Sequence, residues 1–95
     1  MAQNYEWDET KAQANLRKHN VGFEEAISVF NDSLNDSVPD PDHSDDEERF
    51  ITVGYSDKHR LLMVAYTLRG IDIRIISARK LTRTERKYYE AESRN

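Results

Sequence analysis

Five arginines, Arg69, Arg74, Arg79, Arg83 and Arg86, fall within 18 residues near the end of the chain. A guanidinium is planar, stays charged at any working pH and meets phosphate oxygens through two parallel N–H groups. One exposed arginine is ordinarily a solvated charge. Five so closely spaced, on the rim of a sheet beside a helix start, point to anion binding. RNA is an anion that can be cut without a metal, because its own 2′-hydroxyl attacks the adjacent phosphate. The protein then has only to place the reacting atoms, stabilise a dianionic transition state and move protons. Glu85, His43, His59 and Lys11 are the candidates for proton transfer, although each has a plainer use. Glu85 stands at a capping position, His43 in an acidic loop, His59 in a turn. Trp7, next to Asp8 and close to Lys11, reads either as a core anchor or as the wall of a site. Tyr88 and Tyr89 can stack on bases or pack a terminal helix.

Other chemistries find little support. His19, His43 and His59 lack ligand spacing, and Asp40, Asp42, Asp45 and Asp46 lack the glycine turn and twelfth-position glutamate of a calcium loop, so neither metal nor cofactor is expected. Only three glycines are present, scattered, so no phosphate-cradling loop exists. No serine sits in a nucleophile elbow. There is no cysteine, no apolar run long enough for a membrane span and no signal-like N-terminus. A soluble, cytoplasmic chain of one domain, residues 1–95, is expected. The formal charge of −4 conceals a division: residues 1–57 sum to −10 and residues 58–95 to +6. Such polarity suits one surface that meets phosphates, or simply two solvated faces.

The elements that must position the arginines follow from spacing and punctuation. Residues 4–7 read as a short strand, and Asp8 can cap a helix to about His19 with a thin stripe of Ala12, Leu16 and His19. So thin a stripe means that the helix packs weakly or leaves a groove beside it. Phe23, Ala26, Ile27 and Phe30 recur at i, i+3, i+4 and i+7, the clearest amphipathic signal, with Glu25 where a capping-box acid would stand. Leu34 to Val38 suits an edge strand, and an acidic, proline-bearing loop follows. Arg49 to Ser56, Leu61 to Leu68 and Ile71 to Ile75 read as strands, the middle one central and buried on both faces. Arg69-Gly70 makes the last hairpin. Thr82-Arg83-Thr84-Glu85 fits a capping box opening a final helix. The expected class is α+β: an N-terminal strand and two helices, a four-stranded, mostly antiparallel meander, and a C-terminal helix, with the helices over one face.

Three ordered blocks carry a family resemblance over roughly residues 5–90. Trp7-Asp8-x-x-Lys11 with Asn15-x-x-Lys18-His19-x-Val21-x-Phe23-x-x-Ala26 resembles the start of the BrnT toxins of bacterial type II toxin–antitoxin systems. Asp40-Pro41-Asp42-His43-Ser44-x-x-Glu47-Glu48-Arg49-Phe50 is similar to their middle, and Ile75-Ile76-Ser77-Ala78-Arg79-Lys80 with Thr82-Arg83-x-Glu85-Arg86-x-x-Tyr89 to their end. Leu68 stands where many relatives carry an acid before the arginine.

The resemblance implies a fold like that of the RelE ribonuclease toxins and RNA cleavage that halts translation. It implies a ribbon-helix-helix antitoxin, BrnA, as partner, a toxin–antitoxin heterotetramer, and contact with operator DNA through the antitoxin only. It implies that Arg69 and Arg79 hold phosphate, that Arg83 assists, and that Glu85 orients an arginine or takes a proton. Trp7, Lys11, Arg74 and Arg86 then contact RNA, with Trp7 and Lys11 bordering the same cleft. The rival expectation is a non-catalytic module that acts as corepressor with a DNA-binding partner.

Overall fold

The computed structural model describes residues 3–40 and 48–93. The order is β1 (Tyr5–Glu6), α1 (Glu9–His19), α2 (Phe23–Ser28), a 3₁₀ turn (Val29–Asn31), β2 (Asp36–Pro39), β3 (Arg49–Tyr55), β4 (Leu61–Arg69), β5 (Asp72–Lys80) and α3 (Arg83–Ser93). The expected α+β class and antiparallel meander are present. The N-terminal strand joins the same sheet as a fifth member, giving the order β1-β5-β4-β3-β2, with β1 parallel to β5. The acidic loop at 41–47, with His43, lies outside the described residues.

Asp8 caps α1 as its position suggests, its carboxylate accepting from the Lys11 amide at 3.2 Å. Asn20 ends the helix in the left-handed region at φ 57°. The inward stripe of α1 differs from the expected one. Leu16 is 46% exposed, and Asn15 is buried in its place. The Asn15 amide donates to Val21 O and Ala78 O, and its oxygen accepts from the Ala78 N–H, all within 3.1 Å. β1 pairs with β5 only at Ile73 and Arg74. Farther along that edge Asn15 fills the vacant strand position, satisfying both backbone groups of Ala78 as a neighbouring strand would.

Glu25 does not close a capping box on α2, contrary to expectation. It is buried, accepts from Ser56 Oγ at 2.7 Å and forms a two-point ion pair with Arg60. A cation from the β3–β4 turn outcompetes a weak local amide bond for this carboxylate.

The core lies between the sheet and α1–α2. Val21, Phe23, Ala26 and Val29 meet Leu62, Val64, Tyr66, Ile75 and Ala78. Phe50, Tyr66, Phe30 and Tyr5 form a chain of ring contacts with centroids 5.1–5.5 Å apart. A register shift between Ala65 and Tyr66 pairs them with Ser77 and Ile75, so Ile76 is the extra residue of a bulge. That shift is why Ile75 and Ala78, three apart, both point into the core. Ile71, read from the alternation as a strand residue, lies in the turn after Gly70 and is 87% exposed.

Two further corrections concern the second face of the sheet. Only α1 and α2 cover the core face. α3 takes its side-chain contacts from the other one, through Glu85 with Arg79 and through the Tyr89 hydroxyl, which donates to Leu34 O at 3.1 Å. On this second face β4 is buried at Leu61 and Thr67 and half-buried at Met63 and Ala65, and at its turn end the core-face Leu68 is 51% exposed.

Candidate functional site: the uncovered sheet face

Strand register decides which arginines share a surface. Leu62, Val64 and Tyr66 point into the core, so Met63, Ala65, Thr67 and Arg69 point the other way. Their cross-strand partners on that outer face include Arg79, Ser77, Arg74 and Asp72 of β5, and Arg49 of β3 opposite Thr67. Arg49, Thr67, Arg74 and Glu6 form one transverse row across four strands. Arg49 and Arg74 sit two strands apart, about 10 Å between backbones at the usual spacing. Arg49 stands in the middle block of the family resemblance, but no site role was expected of it. Only the pairing of β3 with β4 reveals it.

Arg69 and Arg79 do not converge. Arg69 pairs with Asp72 beside the hairpin turn, and Arg79 pairs with Met63, six residues away along β4. At about 3.3 Å per residue the two backbones are about 20 Å apart, so they cannot grip one phosphate. The expected single pocket of guanidinium groups is therefore replaced by two groups on one face. The first, at the turn end, holds Arg49, Arg69 and Arg74. The second, at the α3 end, holds Arg79, Arg83 and Arg86.

In the second group Arg79 is an internal strut. Its Nη1 and Nη2 donate to the two Glu85 oxygens at 2.8 and 2.9 Å, and also to Lys80 O at 3.1 Å and Met63 Sδ at 3.3 Å. Four of its five N–H groups thus point at protein atoms. Glu85 also closes the expected capping box, accepting from the Thr82 N–H at 2.8 Å while its own N–H donates to Thr82 Oγ1. The Arg79 fork first, and the Thr82 amide next, hold the Glu85 carboxyl down to about 2. A carboxylate so held is a weak proton acceptor at neutral pH. The geometry suits orientation of Arg79 and of the α3 start. Arg86 donates to Glu90 at 2.9 Å and lies beside Tyr55, a residue the sequence reading did not single out. Arg83 is exposed on the first turn of α3.

In the first group Arg74 reaches Glu6 at 3.4 Å and is half-buried. Thr67 is 2% exposed beneath this row and donates to Glu48 O at 2.6 Å.

Trp7 and Lys11 do not border this face. Glu6 sits beside Arg74, so Trp7, the next residue, turns to the helix side and meets Phe23 edge-on at 6.0 Å. Lys11 is exposed on α1, on that same side. Of the histidines, His19 closes α1 and His59 sits in the β3–β4 turn at φ 61°. Among the described residues no cluster of three His, Asp or Glu could hold a metal ion, and no helix is long and apolar enough to cross a membrane.

Comparison with known proteins gives this geometry its context. Residues 7–85 match the family model described as the ribonuclease toxin BrnT of type II toxin–antitoxin systems. The chain belongs to the BrnT family. The matched span ends at Glu85, so it holds the Arg79–Glu85 fork and all of the outer-face arginines except Arg86. The 1.1 Å crystal structure of the Brucella abortus ribonuclease toxin BrnT has the same fold, with a TM-score of 0.59 and 23% identity over 86% of this chain and 100% of that one. Among curated protein sequences none matches this chain.

Proposed function

We propose that this BrnT-family chain is a metal-independent endoribonuclease that lays RNA along the uncovered sheet face, halts translation and is silenced by a BrnA-like ribbon-helix-helix antitoxin in a heterotetramer. The observation that carries the reading is that Arg49, Arg69, Arg74 and Arg79 share the one sheet face that α1 and α2 leave open. Arg49, Arg69 and Arg74, on three strands with Arg49 and Arg74 about 10 Å apart, suit adjacent phosphates of one strand rather than a single anion. In this reading Arg69, Arg74 and Arg49 grip the backbone of the strand, and Arg83 and Arg86 approach it from α3. Arg79 and Glu85 set the position of the α3 start, and the attacking oxygen comes from the RNA itself.

One feature favours the rival reading, a corepressor module that binds without cutting. The acid beside Arg79 is held ionised and engaged by three hydrogen bonds, so it is a poor general base. Purified chain mixed with RNA in excess chelator separates the two. Cleavage that persists in chelator and falls at least about 100-fold in Arg74→Ala and Arg69→Ala supports the nuclease. RNA left intact, with tight binding to a DNA-binding partner, supports the module.

A further inference from the structure

On the helix side, opposite the arginines, a cleft of about 690 Å³ opens between α1, α2 and the β3–β4 turn. It exists because α1 turns Asn15 rather than Leu16 into the core. Leu16 is left 46% exposed on the cleft wall, beside Ala12, Trp7 and Phe23. The rim is acidic. Glu9 and Glu24 line it, and the Glu9 oxygens accept only from neutral donors, Trp7 Nε1 and Gln13 Nε2. Glu25 and Arg60 cancel each other as an ion pair, and Asp57 offsets Lys58. Lys11, Arg17 and Lys18 of α1 do not line the cleft. A nucleic acid would meet net repulsion here, and a small ligand would find few enclosed polar groups. An apolar wall with an excess of carboxylates at its mouth suits a protein segment whose apolar anchor is flanked by Lys or Arg.

We infer that this cleft is the antitoxin dock: it takes an apolar segment of the antitoxin flanked by basic residues, on the side of the sheet away from the RNA-binding face. The inference rests on the toxin–antitoxin reading above and names the surface that reading leaves open. Leu16 and Trp7 supply the apolar contact, and Glu9 and Glu24 steer the basic flanks. Docked here, the antitoxin leaves the arginine rows uncovered. Inhibition then comes from the bulk of the bound partner at the sheet edge, or from movement of β1, which links Trp7 to Glu6 beside Arg74.

The test uses the full chain and its cognate antitoxin protein, both purified. Leu16→Glu removes the exposed anchor and adds like charge. Glu24→Lys reverses one rim charge on an exposed position of α2. Each variant is first shown to melt as the parent does. The expected result is antitoxin affinity weakened about tenfold or more by Leu16→Glu, and association slowed several-fold at low salt by Glu24→Lys. Cleavage of naked RNA stays at the parent level in both variants, and its suppression needs about tenfold or more antitoxin in Leu16→Glu and several-fold more at low salt in Glu24→Lys.

Unchanged antitoxin affinity in both variants would overturn the inference. So would loss of antitoxin binding only in Arg69→Ala or Arg74→Ala, reduced RNA cleavage by Leu16→Glu, RNA photocrosslinks at Trp7, or a concentration-dependent homodimer that Leu16→Glu dissolves. If the parent chain cuts no RNA, the nuclease reading fails while the binding comparison still decides the dock.

Discussion

Glu85 accepts from both terminal nitrogens of Arg79 and from the Thr82 amide, which explains a carboxyl held down to about 2. A lowered carboxylate pKa means that stability is present above the unfolded value near 4.5 and is lost as pH falls toward 2. Both side chains are about one-third exposed. Solvent screening therefore cuts the contribution to about 1 kcal/mol at neutral pH. Urea unfolding of Glu85→Gln should show that deficit at pH 7 and little of it at pH 2. The Glu25–Arg60 pair is more deeply set, with the carboxylate side chain only 4% exposed. Arg60→Ala strands that charge against Ser56 and should cost about 3 kcal/mol, a fall in Tm of more than about 10 °C in a thermal melt. The Thr82–Glu85 capping box was legible because its two partners are three residues apart. The Arg79 and Arg60 pairings were not, since each joins a strand or turn to a helix and carries no fixed sequence offset.

At the scale of elements, Asn15 shows how a polar residue can stand in for secondary structure. Its amide completes the edge of β5 where β1 has ended, so Asn15→Leu keeps the branched shape but leaves both backbone groups of Ala78 without the Asn15 partner. A loss of about 2–4 kcal/mol is expected, with faster hydrogen exchange at the Ala78 amide as the direct reading. Periodicity placed α1, α2, the hairpin and α3 correctly. It chose Leu16 over Asn15 because apolar residues are the default inward ones, and nothing local announces that an amide will be needed at a sheet edge 63 residues away. The β5 bulge is similarly silent in sequence. Strict alternation from Ile71, Ile73 and Ile75 does not foresee that Ala78 will also face inward, nor that Ile71 will be left in the turn. β4 read as buried on both faces because its composition is nearly all apolar, whereas Met63 and Ala65 are half-buried and Leu68, at the turn end, is exposed.

For the whole molecule, arginines of β3, β4 and β5 gather on one face of the sheet, while α1 on the other face carries Lys11, Arg17 and Lys18 as well as Glu9. The outer-face arginines look away from α1 and α2, and the acidic rim of the cleft lies on the helix side. Linear counting found the polarity but not the axis, because register alone assigns Arg49 of the acidic half to the basic face. Single-stranded RNA binding should weaken with salt at a slope of about −0.7 per phosphate neutralised. Arg74→Ala should make the slope shallower by about that amount in fluorescence titrations between 50 and 200 mM salt. Glu24→Lys, on the far side, should leave it unchanged.

The parallel pairing of Tyr5 with Ile73 gives this molecule an order of assembly. β1 can be seated only after β5, later in the chain, has been made. A nascent chain that stops before β5 leaves Tyr5 without its pairing to Ile73 and Glu6 without Arg74. Closure across so long a stretch of sequence is slow compared with forming a hairpin. Each newly made copy therefore passes through an interval in which the β5 edge at Ile73 and Arg74 is unfilled.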